Sequence, residues 1–194
     1  MDCTEPEFWE ERYRANRMPW DQHGVPPALL NFLRRSREKG TVLLPGCGSG
    51  YEVQAFCDFG WQPFAIDFSP AAIERARIVV GPRADLLRLA DFFRDDMGGP
   101  FDFIYERTFL CSMLPERWPE YVRRMAELLK PGGKLIGIFA YGHEPEPPPF
   151  PLSEAVAREL FDSRFSLVEN DPIPAEQSLP LYAGQERWQI WERR

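Results

Sequence analysis

Apolar residues along this chain fall into short continuous runs that alternate with longer stretches of helical spacing. The run Thr41-Val42-Leu43-Leu44 reads as a buried strand, and it breaks into Pro45-Gly46-Cys47-Gly48-Ser49-Gly50, after which Val53, Phe56 and Cys57 recur at helical intervals. Upstream, an amphipathic helix begins at Pro27 to Phe32 and runs into Arg34, Arg35 and Lys39, with Gly40 as its stop. Downstream, Gly60 ends the helix after the turn, Trp61 to Ile66 forms a second strand, and Asp67 stands at its carboxyl end. Ser69-Pro70 then supplies an N-cap and first-turn proline for a helix through Val80.

The alternation continues. Ala84 to Leu89 predicts a third strand, with only Gly81-Pro82-Arg83 between it and the helix, and Phe101 to Glu106 a fourth. Glu120 to Leu129 predicts a helix that Lys130-Pro131-Gly132-Gly133 ends before a strand from Lys134 to Tyr141. A Pro-rich loop, Glu144 to Pro151, a helix near Ser153 to Phe161, and two strands near Phe165 to Glu169 and Gln185 to Glu192 complete the pattern. It implies an α/β fold: a doubly wound, mostly parallel, seven-stranded sheet closed by a C-terminal β-hairpin, with ligands outside the carboxyl ends of the strands.

At 194 residues the chain suits a single domain, 1–194. A net charge of −7 gives no broad cationic surface for nucleic acid or anionic membrane, which favours a small-molecule substrate. The acidic start Met1-Asp2-Cys3-Thr4-Glu5 lacks the features of a signal peptide, and no stretch reaches the apolar length of a membrane span, so a cytoplasmic protein is expected. Four cysteines without ligand spacing and two histidines, His23 and His143, argue against a structural zinc and for reduced thiols. Oligomeric state has no signature here.

The first strand-to-helix turn carries the candidate chemistry. Its glycines permit a tight turn and let a ligand approach backbone that a Cβ would shield. A dinucleotide fingerprint spaces its glycines Gly-x-Gly-x-x-Gly, whereas here Gly46, Gly48 and Gly50 bring the third one early and Tyr51 takes the expected place, a spacing that suits a ligand without phosphate. Asp67, 21 residues after Gly46, is positioned to accept hydrogen bonds from ribose hydroxyls. Asp91 after the third strand can bond an adenine amino group with Phe92 covering a ring face, while Phe93 is read as core. The aromatic segment Phe8-Trp9-Glu10-Glu11-Arg12-Tyr13, followed by Pro19-Trp20-Asp21-Gln22, makes residues 1–25 read as a lid over the ligand, whose rings would attract a cation and exclude water. Packing alone accounts equally well for Phe8.

With these blocks in view, the chain resembles the thiopurine methyltransferase superfamily over nearly its full length, particularly the thiocyanate, halide and thiol methyltransferase branch. The resemblance is carried by Trp9 through Pro19-Trp20-Asp21-Gln22, by Leu44 to Val53, by Asp67-Phe68-Ser69 and by Asp91-Phe92-Phe93. Phe101-Asp102-Phe103-Ile104, Phe109-Leu110-Cys111, Leu128 to Gly133 and Pro148-Pro149-Phe150 continue it. It implies a Rossmann-like class I fold and S-adenosyl-L-methionine (SAM) as cofactor. Trp9, Tyr13, Trp20, Gly46, Asp67, Ala90, Asp91 and Arg107 match family positions lining the SAM pocket. Cys47, Gly48, Gly50, Phe68 and Phe92 join them as candidate contacts, and Trp20 and Arg107 are candidates for the substrate side.

Tyr13 departs from the halide branch, which has Trp there, and Glu106-Arg107 resembles the thiopurine enzymes rather than the Asp-Tyr of the halide branch. Arg107 can orient an anion beside the cofactor or simply pair with Glu106. Methyl transfer from a sulfonium to a soft nucleophile (thiol, thiopurine, thiocyanate or halide) is an in-line displacement that needs alignment and desolvation, so no catalytic base is assigned. The competing readings are a nicotinamide-dependent oxidoreductase and a non-catalytic SAM-binding regulator.

Overall fold

The computed structural model describes residue 3 and residues 5–144, 147–182 and 184–194. Pro145 and Glu146, inside the expected Pro-rich loop, and Met1, Asp2 and Thr4 of the acidic start lie outside the described residues. Seven strands stand in one mixed sheet in the order β3-β2-β1-β4-β5-β7-β6. This is the expected α/β architecture, and the chain clusters into two compact units, residues 1–97 and 98–194.

The first unit contains α1 (Pro6–Arg14), α2 (Pro27–Arg35), β1 (Thr41–Pro45), α3 (Tyr51–Asp58), β2 (Gln62–Asp67), α4 (Pro70–Val80) and β3 (Leu87–Leu89). β1 pairs in parallel with β2 from Thr41↔Gln62 to Pro45↔Ile66, and β2 with β3 from Ala65↔Leu87 to Asp67↔Leu89. Val42 and Leu43 are fully buried and Leu44 nearly so, the burial expected of an unbroken apolar run in a parallel strand. Val53 and Phe56 of α3 are also fully buried, and each such side chain contributes about 1.5–3 kcal/mol of hydrophobic stabilisation.

Two boundaries differ from expectation. Helix α2 ends at Arg35, well short of Gly40, because Ser36 is already extended; the buried stripe Leu29, Phe32, Leu33 has run out, leaving nothing apolar to hold another turn. The third strand is only Leu87–Leu89, since residues Gly81–Leu86 form a 3-10 turn entered by Pro82, and Leu87 alone of the strand is buried. Ser69 caps α4 as predicted, its Oγ accepting the Ala72 N–H, with Pro70 in the first turn.

The second unit contains β4 (Phe101–Arg107), α5 (Trp118–Leu128), β5 (Leu129–Ala140), α6 (Glu154–Phe161), β6 (Phe165–Pro172) and β7 (Glu186–Arg193). Strand β5 runs parallel to β4 and antiparallel to β7, and β7 lies between β5 and β6. Lys130-Pro131-Gly132-Gly133 does not separate helix from strand. It belongs to β5, where pairing jumps from Phe101↔Leu129 to Phe103↔Lys134, so these residues are accommodated as an irregularity of the ladder. Tyr141, expected to end that strand, instead makes an isolated bridge to Leu152. The core includes Tyr121, Met125, Leu135, Ile136, Phe161 and Trp191, the last two rings stacked at 4.7 Å.

Candidate cofactor site

Parallel register in the first unit brings three chain reversals together at the carboxyl ends of β1, β2 and β3. The turn after β1 is tied to β2 by the Cys47 N–H bonding the Ile66 carbonyl at 2.8 Å, and the chain after β3 by the Ala90 N–H bonding the Asp67 carbonyl at 3.0 Å. Gly48 has a φ of +53°, and a Cβ there would stand 2.9 Å from the Tyr13 hydroxyl, so the glycine both makes the turn and leaves room for that ring. Gly50 adopts +77° as the N-cap of α3, where a Cβ would meet Ala76 Cβ at 3.0 Å. Gly46 shares the left-handed conformation, at φ +61°.

Asp67 is only 6% exposed. Its Oδ2 accepts the Gly48 N–H at 3.0 Å and its Oδ1 the Ser69 N–H at 2.9 Å. Burial pushes its pKa up to about 6, against the pull of those backbone donors. The Phe68 N–H adds to these donors, and with each carboxylate oxygen able to accept two bonds Asp67 still retains acceptor capacity. Phe68 beside it is half-buried. The Cys47 thiol is pushed well up by burial and by the neighbouring Asp67 charge, so it stays protonated.

Asp91 makes a local turn: its Oδ1 accepts the Phe93 N–H at 2.8 Å, and its own N–H donates to Asp95 Oδ2 at 2.9 Å. Ala90 and Phe92 are buried, at 5% and 4% exposure, whereas Phe93 is half-buried. The ring read as core is therefore the less buried of the two.

The aromatic segment forms a helix, α1, followed by a loop. Trp9 and Tyr13 each meet Trp20 edge-on, at centroid distances of 5.2 Å and 5.9 Å, and Tyr13, Met18 and Ala72 form a buried cluster on which Trp9 and Trp20 pack. Burial drives the Tyr13 phenol well above its ordinary range. Two carboxylates pin the segment: Asp21 Oδ2 accepts the Ser49 hydroxyl at 2.6 Å, and Glu10 Oε2 accepts the Ser69 hydroxyl at 2.6 Å. The sequence reading missed Glu10, Asp21, Ser49 and Ser69 as a set. Their partners lie 28 and 59 positions apart, beyond any local spacing signal.

In the second unit, Arg107 ends β4 half-buried, and its Nη2 is buried without a hydrogen-bond partner among the described residues. Glu106 faces other donors: Tyr121 Oη at 2.6 Å and the N–H groups of Phe109 and Leu110 at 2.9 and 3.0 Å. Burial raises its pKa despite those bonds. Nearby, a cavity with room for about one water molecule is lined by residues including Glu106, Thr108, Cys111, Tyr182 and Glu186. Cys111 Sγ and Tyr182 Oη lie 3.1 Å apart, and burial pushes the Cys111 thiol up to about 12. Both histidines are exposed.

A sheet of this order, with a glycine turn after its first strand and a buried carboxylate ending the second, defines the class I SAM-dependent methyltransferases. Solved structures agree on the fold. The N-methyltransferase NodS from Bradyrhizobium japonicum WM9, in complex with S-adenosyl-L-homocysteine, superposes with a TM-score of 0.71 at 21% identity, covering 97% of this chain and 98% of that one. Magnesium protoporphyrin IX methyltransferase from Synechocystis PCC 6803, with bound SAM, gives 0.73 at 16% identity, covering 100% and 98%.

Within that class the chain belongs to the thiopurine S-methyltransferase family, whose model, Thiopurine S-methyltransferase (TPMT), matches residues 4–194. It is 32% identical to probable thiol methyltransferase 2 of Arabidopsis thaliana, over 84% of this chain and 76% of that one. It is likewise 32% identical to thiocyanate methyltransferase 1 of Brassica oleracea, over 99% and 87%. Thiopurine S-methyltransferase of Vibrio cholerae is 28% identical over 81% of each. The chain is a SAM-dependent methyltransferase, and the oxidoreductase reading has no support.

Proposed function

We propose that this enzyme moves the methyl group of SAM to a small soft nucleophile, a thiol, thiopurine, thiocyanate or halide, by in-line displacement. The observation carrying this reading is the joint placement of buried Asp67, the Gly48 turn and the Tyr13–Trp20 ring pair within the first unit. The residues fit an adenosine-bearing ligand: Asp67 keeps open acceptor positions for ribose hydroxyls, and the turn at Gly46, Cys47, Gly48 and Gly50 presents backbone without side-chain bulk. Ala90, Asp91 and Phe92 would hold the adenine, with Phe68 flanking, and Trp9, Tyr13 and Trp20 would cover the cofactor as a lid.

When bound, SAM supplies an electrophilic methyl on a sulfonium. The chain contributes alignment and a dry environment: aromatic faces attract a cation by about 0.5–2 kcal/mol and exclude water. Arg107, with an uncommitted Nη2, would orient an anionic acceptor group, and Trp20 would face the acceptor as well. A soft nucleophile suits the side chains on hand, because His23 and His143 are exposed and Cys111 is held protonated. Among the described residues no helix is long and apolar enough to cross a membrane. The net charge of −7 favours a small-molecule substrate over nucleic acid or an anionic membrane surface, and the cytoplasm is the proposed compartment. The test is S-adenosylhomocysteine release with thiols, thiopurine, iodide and thiocyanate, each beside an amine and an alcohol. Turnover with the soft nucleophiles supports the reading; turnover confined to the amine or the alcohol overturns it.

A further inference from the structure

Helix α1 is nine residues long and has no side-chain N-cap, so on its own it would be marginal in water. Its most committed polar side chain is Glu10. Oε2 accepts the Ser69 hydroxyl at 2.6 Å and the Ala71 N–H at 2.9 Å, in the first turn of α4, while Oε1 pairs with Arg14 at 2.6 Å. Partial burial raises the Glu10 pKa, yet the bonds from Ser69, Ala71 and Arg14 outweigh it and hold the carboxyl below its ordinary value.

Ser69 is shared. Its Oγ donates to Glu10 and accepts the Ala72 N–H, and its own N–H donates to Asp67 Oδ1 at 2.9 Å. A continuous path of hydrogen bonds thus runs from the aromatic segment through Ser69 to the buried carboxylate. Asp67 in turn bonds the Gly48 N–H, and Gly48 lies beside the hydroxyl end of Tyr13 of α1 itself, which closes a loop of contacts. An anionic acceptor also sits favourably among the free N–H groups that open a helix.

We propose that Glu10 is a positioning residue: it latches the aromatic segment onto the first turn of α4 and, through Ser69, fixes the orientation of Asp67. The inference rests on the reading that Asp67 holds the cofactor ribose. Glu10 touches no reacting atom; its effect is on whether the segment stays down and on the aim of the carboxylate behind it.

The experiment compares Glu10→Ala, Glu10→Gln and the control Arg14→Ala, which removes only the exposed partner of the ion pair, by amide hydrogen exchange and by calorimetry with S-adenosylhomocysteine. In Glu10→Ala, exchange over residues 6–20 accelerates by about tenfold or more and the dissociation constant rises by about tenfold, as for loss of a charge-assisted bond, while exchange in β4 and α5 is unaltered. Glu10→Gln falls between, because its amide oxygen still accepts from Ser69 or Ala71, and Arg14→Ala behaves as the parent. Unaltered exchange over residues 6–20 in Glu10→Ala overturns the proposal, as does faster exchange spread over the whole chain, which marks a merely structural side chain. Unchanged affinity in Asp67→Ala overturns the ribose reading instead, and exchange over residues 6–20 then still decides whether Glu10 is a latch.

Discussion

The two units each bury a carboxylate at the end of a parallel strand, and they treat it differently. Asp67, ending β2, accepts backbone donors alone, the Gly48 N–H on Oδ2 and the Ser69 N–H on Oδ1, with the Phe68 N–H also stabilising its charge. Glu106, near the end of β4, receives three donors, among them the Tyr121 hydroxyl, all from its own unit. Both carry raised pKa values because burial penalises charge in each. The difference lies in what each ties down: Asp67 holds the glycine turn to the start of α4, whereas Glu106 is spent on folding the chain between β4 and α5. Burial and a shifted pKa do not tell the two apart; the kind of donor does, turn backbone alone around Asp67 and the side chain of a packed helix, Tyr121, at Glu106.

The largest effect is expected at Glu106. Glu106→Ala strands three donors, two of them buried, and should lower unfolding stability by about 3–5 kcal/mol in denaturant titration, with little change in affinity in the protein that stays folded. Stability equal to the parent would mean that those donors find water. At Asp67 the balance reverses: Asp67→Ala should weaken S-adenosylhomocysteine binding by about 100-fold in calorimetry while circular dichroism stays unchanged. A smaller effect is expected at Trp20, where Trp20→Ala should reduce turnover by about tenfold with a near-parental melting temperature, since the ring is only half-buried. A variant as active as the parent would make Trp20 packing alone.

The pH dependence is the mildest test. On the proposed role of Asp67, in which its charged form accepts from ribose hydroxyls, affinity should fall as pH drops through about 6 and be down by up to about tenfold near pH 5. Folding responds with the opposite sign. Because the Asp67 pKa is raised above its unfolded value of 3.8, its contribution to stability is fully present below that value and is lost as pH rises through about 6. A loss of affinity at pH 5 that accompanied loss of Asp67-linked stability would contradict this assignment.

Much of the first unit was legible in the sequence, because its signals are local. The run Val42-Leu43-Leu44, the glycine spacing and the Ser69-Pro70 cap each act within a few residues and specify strand, turn and helix start directly. The limits appeared where distant partners decide. The short β3 follows from a proline-entered 3-10 turn that periodicity read as strand, and β5 absorbs Lys130 to Gly133 because β4 offers an irregular ladder for them. The pairing of Glu106 with Arg107, left open by adjacency, gives way to Tyr121 from α5, 15 positions away. Glu10 and Asp21 look like ordinary solvated acids until the fold brings Ser69 and Ser49 to them.

The most direct measurement is a calorimetric titration of S-adenosylhomocysteine into the parent enzyme and into Asp67→Asn, which keeps the side chain's shape and removes its charge. The account predicts clear binding to the parent and a loss of about 30-fold or more in the variant. Equal affinity in the two would contradict the claim that the carboxylate between the Gly48 turn and Ser69 is what holds the cofactor.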